Sequence, residues 1–181
     1  NKNLKPQVDS LLVAINDDVS TYIPTSVISR WNDNTLTETE FVQPHPHFDY
    51  NVALAIDIAR KTDGAFEPTI TPLVNYWGFG YNNKNPVTRI DSVKIDSLME
   101  FVGYKLLEWT EPTVGDSNAK ALMKLDDRVE LNLGGSAKGY ALDQIGVLLE
   151  AYNIHDYMIE IGLEVKCKGQ NPKGKIWTIG I

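Results

Sequence analysis

Helical spacing dominates the chain up to Gly103 and strand-like runs crowd the part beyond it, and this order is the strongest constraint on the fold. Val8, Leu11, Leu12, Ile15 and Val19 predict an amphipathic helix over residues 6–19, entered through Pro6. Residues 20–32 read as a loop holding a short helix capped by Thr25 or Ser26, and residues 32–39 as loop. Over residues 49–62, Val52, Ala53, Ile56 and Ala59 share one face, with Asp49 as the expected N-cap. Residues 91–102 repeat Val93, Ile95, Leu98, Met99 and Val102 at helical spacing, and Gly103 stands where a helix should stop. Between these helices, residues 63–80 contain Pro68 and Pro72 among glycines, which rules out one regular element but leaves PLVNYWGF room for a short helix.

Strands are expected at residues 104–109, 121–125, 129–133, 157–161 with 165–168, and 176–181. The Asp126-Asp127 link between two of them predicts an antiparallel hairpin. One late helix, residues 137–152, should bury Ala141, Ile145, Leu148 and Leu149. Helices segregated from strands in this way predict an α+β fold with antiparallel sheet packed against helices, rather than a doubly wound parallel sheet. With 181 residues, one domain is the default.

Seventeen basic against 24 acidic residues give a net charge of -7, which argues against a protein that tracks a nucleic-acid backbone. Cys167 is the single cysteine, so neither an intrachain disulfide nor a cysteine zinc cage can form. His45 and His47 flank Pro46 and can face the same way, but without a third ligand a solvated loop before a helix is the better reading.

The run LNLGGSAKGYALD from Leu131 joins a strand-like segment to a helix through Gly134, Gly135 and Lys138. Glycine-freed amides, a helix N-terminus and an ammonium group together suit a phosphate, although a plain change of direction needs the same glycines. Lys138 precedes Gly139 instead of following a glycine, so the run is not a Walker loop; Lys138 also stands where a G-x-S-x-G elbow needs its last glycine. Upstream, DGAFEPT from Asp63 is followed by Tyr76, Trp77 and Phe79, rings that serve either a stacked flavin or adenine or a core cluster.

Taken together, STYIPTSVISRWN from Ser20, TDGAFEPTITPLVNYWGFG from Thr62, LNLGGSAKGYALDQIGVLLE from Leu131, and YMIEIGLEVKCKG from Tyr157 with WTIGI resemble the ApbE-type FAD:protein FMN transferases. The resemblance implies an ApbE-like, T-fold-related architecture and a Mg²⁺-dependent enzyme. Such an enzyme splits FAD, attaches FMN to a Thr or Ser of a target flavoprotein, such as a redox-pump subunit, and releases AMP. Some relatives hydrolyse FAD to FMN and AMP instead, and a flavin-binding module without transfer is the further alternative.

Position by position, the resemblance assigns FAD contacts to Tyr22, Ala65, Phe66, Glu67, Asn132 and Lys138, and a backbone-carbonyl Mg²⁺ ligand to Gly135. Glu67 and Asn132 each stand where many relatives have Asp. Family members begin with a strand bearing Met-Gly-Thr and end with a histidine block and an Asp and a Thr at the metal. Neither region is found here, so residues 1–181 are expected to be an incomplete single domain with its catalytic groups elsewhere. An exported lipoprotein on the periplasmic side of the inner membrane is implied by the family alone.

Overall fold

The structure is a computed structural model describing residues 3–37, 40, 43–80, 87, 89–110 and 121–180. Ile181, at the end of one expected strand, and residues 38–39 of an expected loop lie outside the described residues. The chain divides into two compact units, Asn16–Leu133 and Asn1–Ile15 with Gly134–Ile181. Helix α1, Lys5–Val19, runs through the division and buries Ile15 and Val19.

In Asn16–Leu133 the short helix α2, Val27–Asn32, is capped by Ser26, whose hydroxyl accepts from Ser29 N. Helix α3, Pro46–Lys61, buries Phe48, Val52, Ala55, Ile56 and Ala59. It begins ahead of the expected Asp49, because Pro46 presets the first helical φ and His45 occupies the cap position. Asp49 instead reaches back to accept from His45 N, and burial raises its carboxyl pKa. Asp18 Oδ2 accepts from His47 N and Phe48 N, closing the start of the same helix. Trp31 packs at 6.5 Å from Phe48 and donates its indole N–H to Leu122 O at 2.9 Å.

Helix α4, Thr71–Tyr76, is the short helix expected inside the proline-rich stretch. Helix α5, Ser92–Met99, is capped by the Asp91 carboxylate, which accepts from Lys94 N, yet it buries none of its residues fully and leaves Val93 80% exposed. The expected strand at 104–109 opens as one 3₁₀ turn, Tyr104–Leu106, before strand β1, Leu107–Thr110. Strand β1 pairs antiparallel with β2, Ala121–Lys124, in the register Leu107↔Lys124 to Thr110↔Ala121.

The hairpin expected about Asp126-Asp127 does not form, and residues 129–133 are not a strand. The Asn32 side chain takes the place of a neighbouring strand, with Oδ1 accepting from Leu131 N at 2.8 Å and Nδ2 donating to Leu131 O at 3.0 Å. The next peptide N–H, Asn132 N, donates to Pro68 O at 2.7 Å. Val129, Leu131 and Leu133 are buried, as an apolar strand would be, but the backbone of Leu131 is paired with a side chain and that of Asn132 with a loop. Lys124 donates to Asn32 O and Val129 O and lies 4.4 Å above the Trp31 ring; burial lowers its pKa.

Glu40 accepts from Arg30 and from the hydroxyl and N–H of Thr37; these bonds, Arg30's first, lower its carboxyl from 4.5 to about 2. A depressed carboxylate contributes stability above its unfolded pKa and loses it as pH falls through the folded one. The difference in stability between wild type and Glu40→Gln is therefore expected to vanish between about pH 4.5 and about pH 2. Urea denaturation at a series of acidic pH values checks this, and a difference constant across that window would contradict it.

In the other unit, helix α6, Ala137–Ala151, packs on the hairpin of β3, Tyr157–Ile161, and β4, Glu164–Lys168. It buries Tyr140, Ala141, Leu142, Ile145 and Gly146, while the expected Leu148 and Leu149 are half-buried. Gly146 is needed there, since a Cβ would stand 2.9 Å from the Tyr157 hydroxyl. That hydroxyl donates to Glu150 at 2.8 Å, and burial together with this bond pushes Tyr157 up to about 12. Residues 164, 166 and 168 share one face of β4 and pair with the helix through Lys138–Glu164, Lys166–Asp143 and Lys168–Glu150 at 2.6–2.8 Å. The expected strand at 176–181 reduces, over its described residues, to one bridge between Gln170 and Ile176. The α+β expectation holds, with helices packed against small antiparallel sheets.

Candidate functional site

The first group of candidate residues lies in Asn16–Leu133, on the loop leaving α3. Asp63 and Gly64 take left-handed φ of 49° and 80°, and Gly64 N donates to Ala59 O, stopping the helix. Thr62 Oγ1 accepts from Phe66 N, so the chain folds back over the helix end and leaves Ala65 exposed with Phe66 half-buried. Pro68 and Thr69 are buried, anchoring the loop from its far side.

The Glu67 carboxylate is turned inward. Its Oε1 accepts from Thr69 N at 3.0 Å and Thr69 Oγ1 at 2.8 Å, and its Oε2 accepts from Tyr104 N at 2.9 Å. Asn132, through its bond to Pro68 O, joins this loop to the segment leading into the Gly134-Gly135 turn. The loop that carries Ala65 to Glu67 is thereby tied at Pro68, the residue after Glu67, to Asn132. Tyr22 stands on a separate turn before α2, with 75% of its surface exposed.

The aromatic group past α4 is divided. Tyr76 and Trp77 meet edge to face at 5.3 Å, and the Tyr76 hydroxyl accepts from Asp91 N, whereas Phe79 is 82% exposed. Gly80 lies against the Asn75 side chain, where an added Cβ would come within 1.7 Å of Oδ1. Gly80→Ala is thus expected to cost about 1–3 kcal/mol through forced movement of Asn75. Thermal unfolding of the variant checks this, and an unchanged midpoint would refute it.

The second group, Gly135 and Lys138, belongs to the other unit. Gly135 is exposed in the turn that precedes α6, and Lys138 sits in the first helical turn. A cation there faces the positive end of the helix dipole, but Glu164 Oε1 lies 2.8 Å from its ammonium. Both side chains remain partly exposed, 45% for Lys138 and 39% for Glu164, so solvent can reach the pair and an anion can compete for the lysine. Gly162 and Leu163, with φ of 55° and 72°, form the β3–β4 turn, and a Cβ on Gly162 would touch the Lys138 stem at 3.4 Å.

Among the described residues no group of three or more His, Cys, Asp or Glu could hold a metal ion. His45 and His47 are engaged at the start of α3, the His45 ring with Glu40 O. Gly135 offers at most a backbone oxygen, so the described side chains do not by themselves fit a hard six-coordinate cation.

The ApbE family model matches residues 2–181. The chain belongs to the ApbE family. It is 34% identical over 176 residues to the FAD:protein FMN transferase of Haemophilus influenzae, covering 97% of this chain and 49% of that protein. It is also 34% identical to that of Vibrio cholerae over 180 residues, 99% of this chain and 51% of the other. The Vibrio cholerae flavin transferase ApbE structure matches with a TM-score of 0.82 at 31% identity, over 98% of this chain and 54% of that one. The apo form of the Pseudomonas stutzeri flavinyl transferase ApbE matches with a TM-score of 0.80 at 27% identity, over 98% and 56%. The chain thus spans about half the length of the curated ApbE-family relatives it matches.

In this ApbE-family chain the inward turn of Glu67 and the engagement of Lys138 by Glu164 went unseen in the sequence, as did the parts played by Thr69, Gly103 and Tyr104. The IGLEVKC run does carry an acid at its hairpin tip, but no local spacing joins that acid to a helix start.

Proposed function

We propose that this chain is the nucleotide-binding part of a flavin transferase that splits FAD, attaches FMN to a Thr or Ser hydroxyl of a protein and releases AMP. The observation carrying the proposal is the bond from Asn132 N to Pro68 O, which sets the DGAFEPT loop beside the strand-like entry to the GGSAKG turn. Both segments are ones that the ApbE resemblance assigns to the flavin nucleotide, and the relatives' names supply the reaction.

In this reading the backbone of Ala65 and Phe66 lies along FAD, Tyr22 contacts the flavin and Asn132 binds ribose or adenine. Lys138 and the first-turn amides of α6 offset charge on the pyrophosphate. The acceptor hydroxyl loses its proton and forms a bond to the phosphorus of the FMN half, the bridging P–O bond breaks, and AMP leaves with the electron pair. Transfer of this kind depends mainly on positioning and charge neutralisation. A Mg²⁺ requirement belongs to the same proposal: Gly135 would give one oxygen, and the ion would neutralise phosphate charge. So does an exported, lipid-anchored location, which rests on the resemblance alone; no described helix is long and apolar enough to cross a membrane.

Full-length protein incubated with FAD, Mg²⁺ and a Thr-bearing acceptor should yield AMP and a fluorescent acceptor of increased mass. Free FMN without labelled acceptor would mean hydrolysis, and tight FAD binding without AMP would mean a binding module.

A further inference from the structure

We propose that Glu67 is a positioning residue whose carboxylate braces the flavin-binding loop through Thr69, Gly103 and Tyr104 and does not itself touch the nucleotide. The inference rests on the flavin-nucleotide reading given above.

The bonding is closed on itself. Glu67 takes both donors of Thr69 on one oxygen and Tyr104 N on the other, and Thr69 Oγ1, while donating to Glu67, accepts from Gly103 N at 2.6 Å. Thr69 has no exposed surface, so its hydroxyl cannot fall back on water. The 3₁₀ turn Tyr104–Leu106 also meets α3, the helix that leads into the loop. The helix before the loop and the far end of the loop thus both meet one 3₁₀ turn, and Ala65 and Phe66 lie between them in the chain.

Charge gives the second reason. A carboxylate directed at a pyrophosphate would repel it, whereas three donors turned onto Glu67 hold its charge away from the exposed side of the loop where Ala65 lies. The brace leaves the loop's peptide groups as the contact surface and uses Glu67 to set their geometry.

Glu67→Gln removes one acceptor from the brace; Thr69→Val removes the hydroxyl at nearly constant volume, and Thr69→Ser keeps it. In the full-length protein, checked as folded by circular dichroism, Glu67→Gln and Thr69→Val are each expected to raise KM for FAD about tenfold in AMP release. Turnover at saturating FAD should change by less than about threefold. Amide hydrogen exchange should quicken at Tyr104 in Glu67→Gln and at Gly103 in Thr69→Val, and Thr69→Ser should restore both KM and protection. A raised KM with unchanged exchange would overturn the proposal in favour of direct contact between Glu67 and FAD. Faster exchange with unchanged KM would overturn it in favour of a purely structural role. A wild-type protein that neither binds nor splits FAD would fail the flavin reading itself, and that result appears before any substitution is made.

Discussion

Replacing Asn32 with alanine is expected to remove about 2–4 kcal/mol from the unit Asn16–Leu133, because two buried backbone groups of Leu131 lose their partner at once. Asn32 is itself 7% exposed, and Leu131 is fully buried, so water cannot easily replace the amide. Asn32→Asp should be no milder. It keeps an acceptor for Leu131 N but sets a carboxylate oxygen against Leu131 O and buries a charge beside it. Urea unfolding followed by the fluorescence of the neighbouring buried Trp31 measures the loss. A cost below about 1 kcal/mol for the alanine variant would show that residues 129–133 have another hold. Because Asn132 N bonds to Pro68 O one residue further on, the same variant should also loosen the DGAFEPT loop and weaken FAD binding.

The second large effect concerns Lys138. If its ammonium meets the pyrophosphate, Lys138→Ala should lower FAD affinity by about 10- to 100-fold, the value of one charge-assisted hydrogen bond to an anion. Part of that loss comes from Glu164, which the substitution leaves as an unpaired negative charge at the start of α6. The double variant Lys138→Ala with Glu164→Gln should therefore bind FAD more tightly than Lys138→Ala alone, though less tightly than wild type. Flavin fluorescence titration of the full-length proteins tests both statements. Retention of wild-type affinity by Lys138→Ala would remove this turn from the site.

The parts of the fold legible in the sequence are those whose partners are near in the chain. Ser26 and Asp91 cap helices that begin beside them, and β3 meets β4 across a two-residue turn. Local spacing also delimits α1 and α6. The misreadings have distant or subtle causes. Residues 129–133 have the apolar pattern of a strand, and nothing nearby tells that an asparagine 99 positions away takes the partner's place. Asp49 has the chemistry of an N-cap, but Pro46 fixes the helix start earlier. The apolar stripe of α5 predicts burial that Val93 and Met99 do not have among the described residues.

The candidate site follows the same rule. Glycines, Lys138 and the DGAFEPT run are visible as residue types. The inward turn of Glu67 and the pairing of Lys138 with Glu164 depend on where the turn at Tyr104 and the β3–β4 hairpin come to rest.

The Glu67–Thr69 brace also bears on how this contact would look in evolution. It reads the peptide N–H groups of Gly103 and Tyr104, which every residue except proline supplies. For those bonds, position 104 can drift without any compensating change at 67 or 69, and Gly103, with φ of 157°, is held to glycine by its own backbone and not by the brace, so the contact leaves little paired variation between them. Its trace would be the avoidance of proline at position 104, a signal carried by what is missing from a column of sequences.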